Sequence, residues 1–124
     1  MSFTQLSLHP DLLRGIKEVG YVKPTPIQQD AIPPAMAGRD VLACAMTGSG
    51  KTAAFVLPIL HRLMAGPRGA TRALVLVPTR ELAAQVLANV QEVSVHTPLT
   101  AAAIFGGVGM GPQEHAFQIG RAHV

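Results

Sequence analysis

Asp40-Val41-Leu42-Ala43-Cys44-Ala45-Met46-Thr47-Gly48-Ser49-Gly50-Lys51-Thr52 is the stretch that decides how this chain is read. Asp40 through Ala45 forms a short apolar run and reads as a buried strand. A glycine-rich turn follows, and a helix is predicted from about Lys51 to Met64. The turn, Ala45 to Thr52, approaches the pattern G-x-x-x-x-G-K-[ST], with alanine in its first place. Gly48 and Gly50 permit backbone conformations closed to other residues, so that successive N–H groups can converge on one anion. The helix behind the turn offers its positive end to phosphate. Lys51 can reach the outer phosphates as a compact charge, and the Thr52 hydroxyl is placed to ligate a magnesium ion. Read as a mere turn, the string would need neither the Lys-Thr pair nor the strand and helix on either side. A nucleoside triphosphate site accounts for all of them.

Outward from this turn, the pattern repeats in type. Ala73 to Val77 is a second apolar run, closed by Pro78, and reads as a strand. Glu81 to about Val93 reads as a helix with Leu82, Val86, Val90 and Val93 along one side. Thr100 to Phe105 reads as a third strand ending at Gly106-Gly107, and a short helix is predicted near Pro112 to Phe117. On the other side, Pro10 to Val19 carries helix signals: proline at the first position, Asp11 in the first turn, Gly20 as a stop. Lys23-Pro24-Thr25-Pro26 opens another helix with Thr25 as N-cap. Gln28 stands three residues on, at capping-box spacing, and Pro33-Pro34 is expected to interrupt the helix. Strands alternating with helices predict an α/β parallel sheet with right-handed crossovers and ligands at the carboxyl ends of the strands. Thr79 and Arg80, at a helix start after a strand, offer N–H groups to a phosphate.

Composition bounds the alternatives. The 124 residues suffice for one domain or part of one. At 48% hydrophobic and 14% charged, the chain is too apolar for wholesale disorder. Its mean hydropathy of +0.32 is spread over short runs, none near the roughly 20 residues that cross a bilayer. No signal peptide is visible. Cys44 is the single cysteine, which excludes an internal disulfide and a cysteine-based zinc cluster. It reads as a small buried hydrophobe in a reducing compartment. The five histidines show no paired metal spacing. A net charge of +3 and a pI near 9.6 are compatible with a polyanionic partner, but acidic and basic residues are interspersed, so no dedicated electrostatic arm is expected. Aromatics at 4% argue against a base-stacking platform.

Three further strings carry a resemblance. Gly20-Tyr21-Val22-Lys23-Pro24-Thr25-Pro26-Ile27-Gln28, with Phe3 upstream, resembles the Q motif of DEAD-box RNA helicases. Pro78-Thr79-Arg80-Glu81-Leu82-Ala83 resembles their motif Ia, and Gly106-Gly107 their GG motif. A phosphate loop beginning with alanine also belongs to that family, although Met46 stands where glutamine is more usual. The order and spacing of all four motifs agree from Met1 to about Phe117, and the nearest likeness is to bacterial members that remodel structured RNA. The resemblance implies a RecA-like P-loop NTPase domain, here partial, and ATP-dependent unwinding of short RNA duplexes. It implies ATP and Mg2+ as cofactors. Lys51 and Thr52 would touch the reacting phosphates, and Phe3, Gln28, Thr47, Gly48, Ser49 and Gly50 would complete the nucleotide site. Gln28 would read adenine, a task for which a side-chain amide is chemically suited; the capping box remains a second role for it. Phe3 would pack beside the base, with the part of Tyr21 open. Pro78, Thr79, Arg80, Gly106 and Gly107 would grip the RNA backbone without reading sequence. Glu81 would order that turn or simply complement the helix dipole. Ribonucleoprotein or RNA-decay partners, a cytoplasmic location and no membrane association follow from the same likeness.

The resemblance also sets expectations for organisation. Residues 1–38 form N-terminal helices with the Q motif, and residues 39–118 a truncated RecA-like ATP-binding domain. The Asp-Glu-Ala-Asp and Ser-Ala-Thr segments and a second RecA-like domain are missing, so the chain reads as an inactive N-terminal fragment of marginal stability. Residues 119–124 read as non-native, since Ile-Gly-Arg-Ala-His-Val is the translation of a common sequencing-adapter string, ATC GGA AGA GCA CAC GTC. Two other classes compete: a stand-alone NTPase such as a small kinase or transport ATPase, which leaves Gln28 and Pro78 to Ala83 unexplained, and a non-catalytic nucleotide-binding regulator.

Overall fold

The computed structural model describes residues 1–46, 48, 50–67 and 69–104. Among these residues, a single 3-10 turn at Phe3–Leu6 is followed by four helices: α1 Pro10–Val19, α2 Pro26–Met36, α3 Lys51–Met64 and α4 Arg80–Val93. Their starts and stops follow local chemistry. In α1, Pro10 takes the first position and the His9 Nδ1 accepts from the Asp11 N–H at 3.1 Å. Gly20 ends α1 in the left-handed region, φ 94°, where a side chain would be strained. Helix α4 starts one residue earlier than the sequence predicts.

Helix α2 departs from expectation. Pro33 and Pro34 lie inside it rather than breaking it. Both fall in its last turn, so the two missing amides remove bonds only near the end. The carbonyls of Pro33 and Pro34 still accept from Ala37 (3.0 Å) and Arg39 (3.1 Å), which closes the helix C-terminus.

The helices share one core. Leu12 and Ile16 from α1, Ile32 from α2, Leu57 and Leu60 from α3 and Val93 from α4 are fully covered. Each such side chain contributes on the order of 2 kcal/mol. Phe3, Leu6 and Leu8 close the cluster from the N-terminal side.

Helices α1 and α4 meet at Gly15, where a Cβ would collide with the backbone carbonyl of Val93. On an open helix, Gly→Ala stabilises by about 1 kcal/mol. Here the neighbour is main chain and cannot step aside. Gly15→Ala is therefore expected to destabilise the chain by about 1–3 kcal/mol, read as a lower thermal midpoint. A raised midpoint would mean that the two helices are not in this close contact.

His61, in the last turn of α3, accepts through Nδ1 from the His9 N–H at 3.0 Å and so fastens α1 to α3. Burial, and secondarily the neighbouring His9, hold its pKa below the usual 6.5. The unfolded chain then takes up the proton first as pH falls below 6.5. The stability tied to neutral His61 is complete above that value and is lost as pH falls from there toward the folded pKa. His61→Asn should flatten the fall in melting temperature in that window, and an unchanged slope would rule the residue out as its source.

The expected sheet is not formed among the described residues. Residues 40–46, 71–77 and 100–104 make no strand pairs. Leu42 is 97% exposed, Leu76 85% and Leu74 79%, and Cys44, read as buried, is exposed. The reason is one-sided cover. Parallel strands of continuous apolar sequence are stable when both faces are buried. Here the helices gather in a single core and leave the far side of these segments bare. Phe105 and the expected short helix at 112–117 lie outside the described residues.

A feature absent from the sequence reading is Arg72. Its guanidinium donates to the carbonyls of Leu63 (3.1 Å), Ala65 (2.8 Å) and Pro67 (3.2 Å). It thereby satisfies carbonyls at the end of α3, and it shapes the loop leading to residue 73.

Candidate nucleotide site

The site is built at the start of α3. Gly48 has φ 80° and Gly50, the N-cap of α3, has φ 87°. Both lie in the left-handed region, as a turn that points amides inward requires. Lys51 is the first helical residue and is exposed; Thr52 follows and is half-buried. Among the described residues, no side chain caps α3, and its first turn holds no acid. By contrast, α1 is capped by His9 and carries Asp11, and α4 is capped by Thr79 and carries Glu81. The amides at the start of α3 thus keep their positive end open to an anion. Thr47 and Ser49 lie outside the described residues.

Gln28 meets this turn. Only 4% of it is exposed. Its Oε1 accepts from the Thr25 N–H at 3.0 Å, which is the expected capping contact. Its Nε2 donates to the Gly50 carbonyl at 3.2 Å, 22 positions along the chain. The approach is close: a Cβ on Gly50 would stand 2.5 Å from Gln28 Nε2 and 2.9 Å from Thr25 Oγ1. Thr25 Oγ1 is buried without a hydrogen-bond partner. The glutamine amide therefore joins the start of α2 to the phosphate loop. One amide hydrogen and one carbonyl lone pair of Gln28 remain for a further partner.

The aromatic pair behaves differently. Phe3 is buried in the core, its ring stacked on Tyr21 at 6.4 Å between centroids and 22° between planes. The Tyr21 hydroxyl accepts from Asn89 Nδ2 at 3.0 Å. Tyr21 thus reaches α4, which sequence spacing gave no means of foreseeing.

At the second turn, Pro78, Thr79 and Arg80 are exposed. Thr79 Oγ1 accepts from the Leu82 N–H at 3.1 Å, so one of the amides expected to meet a phosphate is already satisfied within the protein. Glu81 sits in the first turn of α4, where its charge complements the helix dipole. Gly106 and Gly107 lie outside the described residues. Among the described residues, no three His, Cys, Asp or Glu side chains gather as a metal-binding group, and no helix is long and apolar enough to cross a membrane.

A glycine turn at positive φ and a Lys-Thr pair opening the next helix are features expected of a phosphate-binding loop of the P-loop class. The model of the DEAD/DEAH box helicase family matches residues 25–124, and the chain belongs to that family. It is 49% identical to DEAD-box ATP-dependent RNA helicase 28 of Arabidopsis thaliana over 91% of this chain and 15% of that protein. It is 50% identical to the ATP-dependent RNA helicase SrmB of Escherichia coli over 86% of this chain and 25% of that protein. Plant and bacterial relatives are thus about equally similar. The crystal structure of the RNA helicase Prp28 from Chaetomium thermophilum bound to ADP matches with a TM-score of 0.84 and 38% identity, over 98% of this chain and 30% of that one. The chain has the fold of part of that RecA-like helicase and spans a quarter or less of these two curated relatives.

Proposed function

We propose that the protein containing this segment is an ATP-dependent RNA helicase, and that the segment supplies the nucleotide-binding turn and part of the RNA-backbone site. The observation that carries this reading is the junction of Gln28 with Gly50, inside a chain of this family. Gly48, Gly50 and the first amides of α3 hold the phosphates, together with Thr47 and Ser49 from the same loop. Lys51 neutralises the outer phosphates. Gln28 uses its remaining donor and acceptor on adenine, and Phe3 packs beside the base. Mg2+ takes few protein ligands and rests largely on phosphate oxygens and water. A half-buried hydroxyl beside Lys51 suits it, so Thr52 would hold it, and the ion would supply charge neutralisation at the transferring phosphoryl. Pro78, Thr79, Arg80, Gly106 and Gly107 hold the RNA backbone. Residues 40–45, 73–77 and 100–105 pair into the parallel sheet once their bare face is covered. A cytoplasmic site of action and ribonucleoprotein or RNA-decay partners belong to the same proposal.

The test is displacement of a short RNA duplex by the intact protein. Unwinding should require ATP and fail with GTP, because the Gln28 amide matches the N6 and N7 edge of adenine and not the corresponding edge of guanine. Equal support by both nucleotides would contradict the base assignment, and no displacement with either would contradict the activity.

A further inference from the structure

Three hydrogen bonds, with the covalent strap and a helix between them, link the ATP end and the RNA end of the segment. The Gly50 carbonyl receives Gln28 Nε2 (3.2 Å), and Gln28 Oε1 receives the Thr25 N–H (3.0 Å). Thr25 ends the strap that begins at Gly20, and Tyr21 on that strap receives Asn89 Nδ2 (3.0 Å). Asn89 lies on α4. Ten positions earlier, about 15 Å along the helix, Thr79 caps α4 in the turn assigned to RNA.

The Tyr21–Asn89 bond is the only step here between side chains far apart in sequence on both sides of the path. Its setting is costly. Asn89 Oδ1 is buried with no hydrogen-bond partner, a loss of about 1–3 kcal/mol for a buried acceptor. Leucine at this position would avoid that cost and suit the apolar surroundings, where Val86, Val90 and Val93 of the same helix join the core. Two contacts hold α1, which the strap follows, against the C-terminal end of α4: Gly15 against the Val93 backbone, and Glu18 Oε1 at 2.7 Å from His96 Nε2, just beyond α4. The Tyr21–Asn89 bond thus ties the strap directly to α4.

We infer that Tyr21 and Asn89 are positioning residues that couple nucleotide binding to RNA binding, by fixing the Gln28 strap to the helix that opens at Thr79. The inference rests on the proposed function and goes beyond it. Neither side chain touches ATP or RNA in this scheme. Each acts by ensuring that a shift of Gln28 on the phosphate loop is felt at the start of α4. Such coupling is reciprocal: RNA must raise ATP affinity by the factor by which ATP raises RNA affinity.

The experiment is a double-mutant cycle in the intact protein with Tyr21→Phe, Asn89→Leu and the pair together. Tyr21→Phe removes one oxygen and keeps the stack on Phe3. The pair removes both polar partners and leaves an apolar contact of similar size, which guards against a fold defect in either single variant. The readout is the affinity of a non-hydrolysable ATP analogue with and without a single-stranded oligouridylate. The enhancement by RNA should fall about fivefold or more in each variant, with the double variant no worse than the singles. Analogue affinity without RNA should stay within about twofold in Asn89→Leu. A lowered melting temperature with the RNA enhancement intact would overturn the inference and leave only a structural bond. An RNA effect absent from the unmodified protein would overturn the helicase reading, and the inference with it.

Discussion

Lys51→Ala in the intact protein is expected to lower ATP turnover by about a hundredfold or more, with little change in thermal stability. Lys51 is exposed at the first position of α3, and no bond to another side chain holds it among the described residues. Removing it disturbs little packing and leaves Gly48 and Gly50 free to keep their backbone form. What disappears, on the proposed assignment, is the positive charge that neutralises the outer phosphates as negative charge shifts during transfer. Loss of one such preorganised group typically costs about 10²–10³ in rate. Steady-state hydrolysis with saturating RNA, next to a melting curve, separates the two effects. A variant that melts early and hydrolyses normally would reverse the assignment.

Gly50→Ala is expected to damage both binding and stability. At φ 87° an L-residue is strained by about 1–2 kcal/mol. The new methyl would also fall 2.5 Å from Gln28 Nε2, so it must push the amide off the Gly50 carbonyl. Nucleotide affinity should fall about tenfold or more, because the displaced Gln28 amide no longer stands where it is proposed to meet adenine, and each 1.4 kcal/mol of lost contact is tenfold. Gly48→Ala is the natural comparison. Its φ of 80° brings similar strain, but nothing lies within 4 Å of its added methyl. Gly48→Ala should thus cost less in stability than Gly50→Ala. Equal melting temperatures for the two would mean that the Gln28 contact adds nothing at this junction.

The helices were legible in the sequence because their signals are local. Pro10 with Gly20, Thr25 with Gln28 and the Lys51 start each need only a few neighbouring residues, and the helices begin within one residue of where those signals stand. Pro33 and Pro34 misled because the rule against proline concerns a helix interior, and these stand in a last turn. The strands could not be settled the same way. Ala73 to Val77 has the composition of a buried strand, yet burial depends on what covers both faces, and that information is not local. Cys44 was misjudged for the same reason.

Of the nucleotide site, the glycine turn and the Lys-Thr pair could be read directly, since φ above zero and an uncapped helix start are properties of those residues alone. The capping contact of Gln28 was readable too, from its spacing after Thr25. Its bond to Gly50 was not, because it joins α2 to the start of α3 across 22 positions. Tyr21 with Asn89, 68 positions apart, His9 with His61 and Gly15 against Val93 were hidden likewise. A glycine in the middle of α1 was the one available hint of close helix packing there, since glycine is otherwise unfavourable in that position.

The central claim, that this segment is the ATP-binding end of an RNA-dependent enzyme, is tested most directly by one rate. ATP hydrolysis by the intact protein should be measured with and without single-stranded RNA. A rate that is low alone and rises steeply with RNA, and that disappears in Lys51→Ala, is the predicted result. Hydrolysis indifferent to RNA, or unaffected by loss of Lys51, would contradict the account.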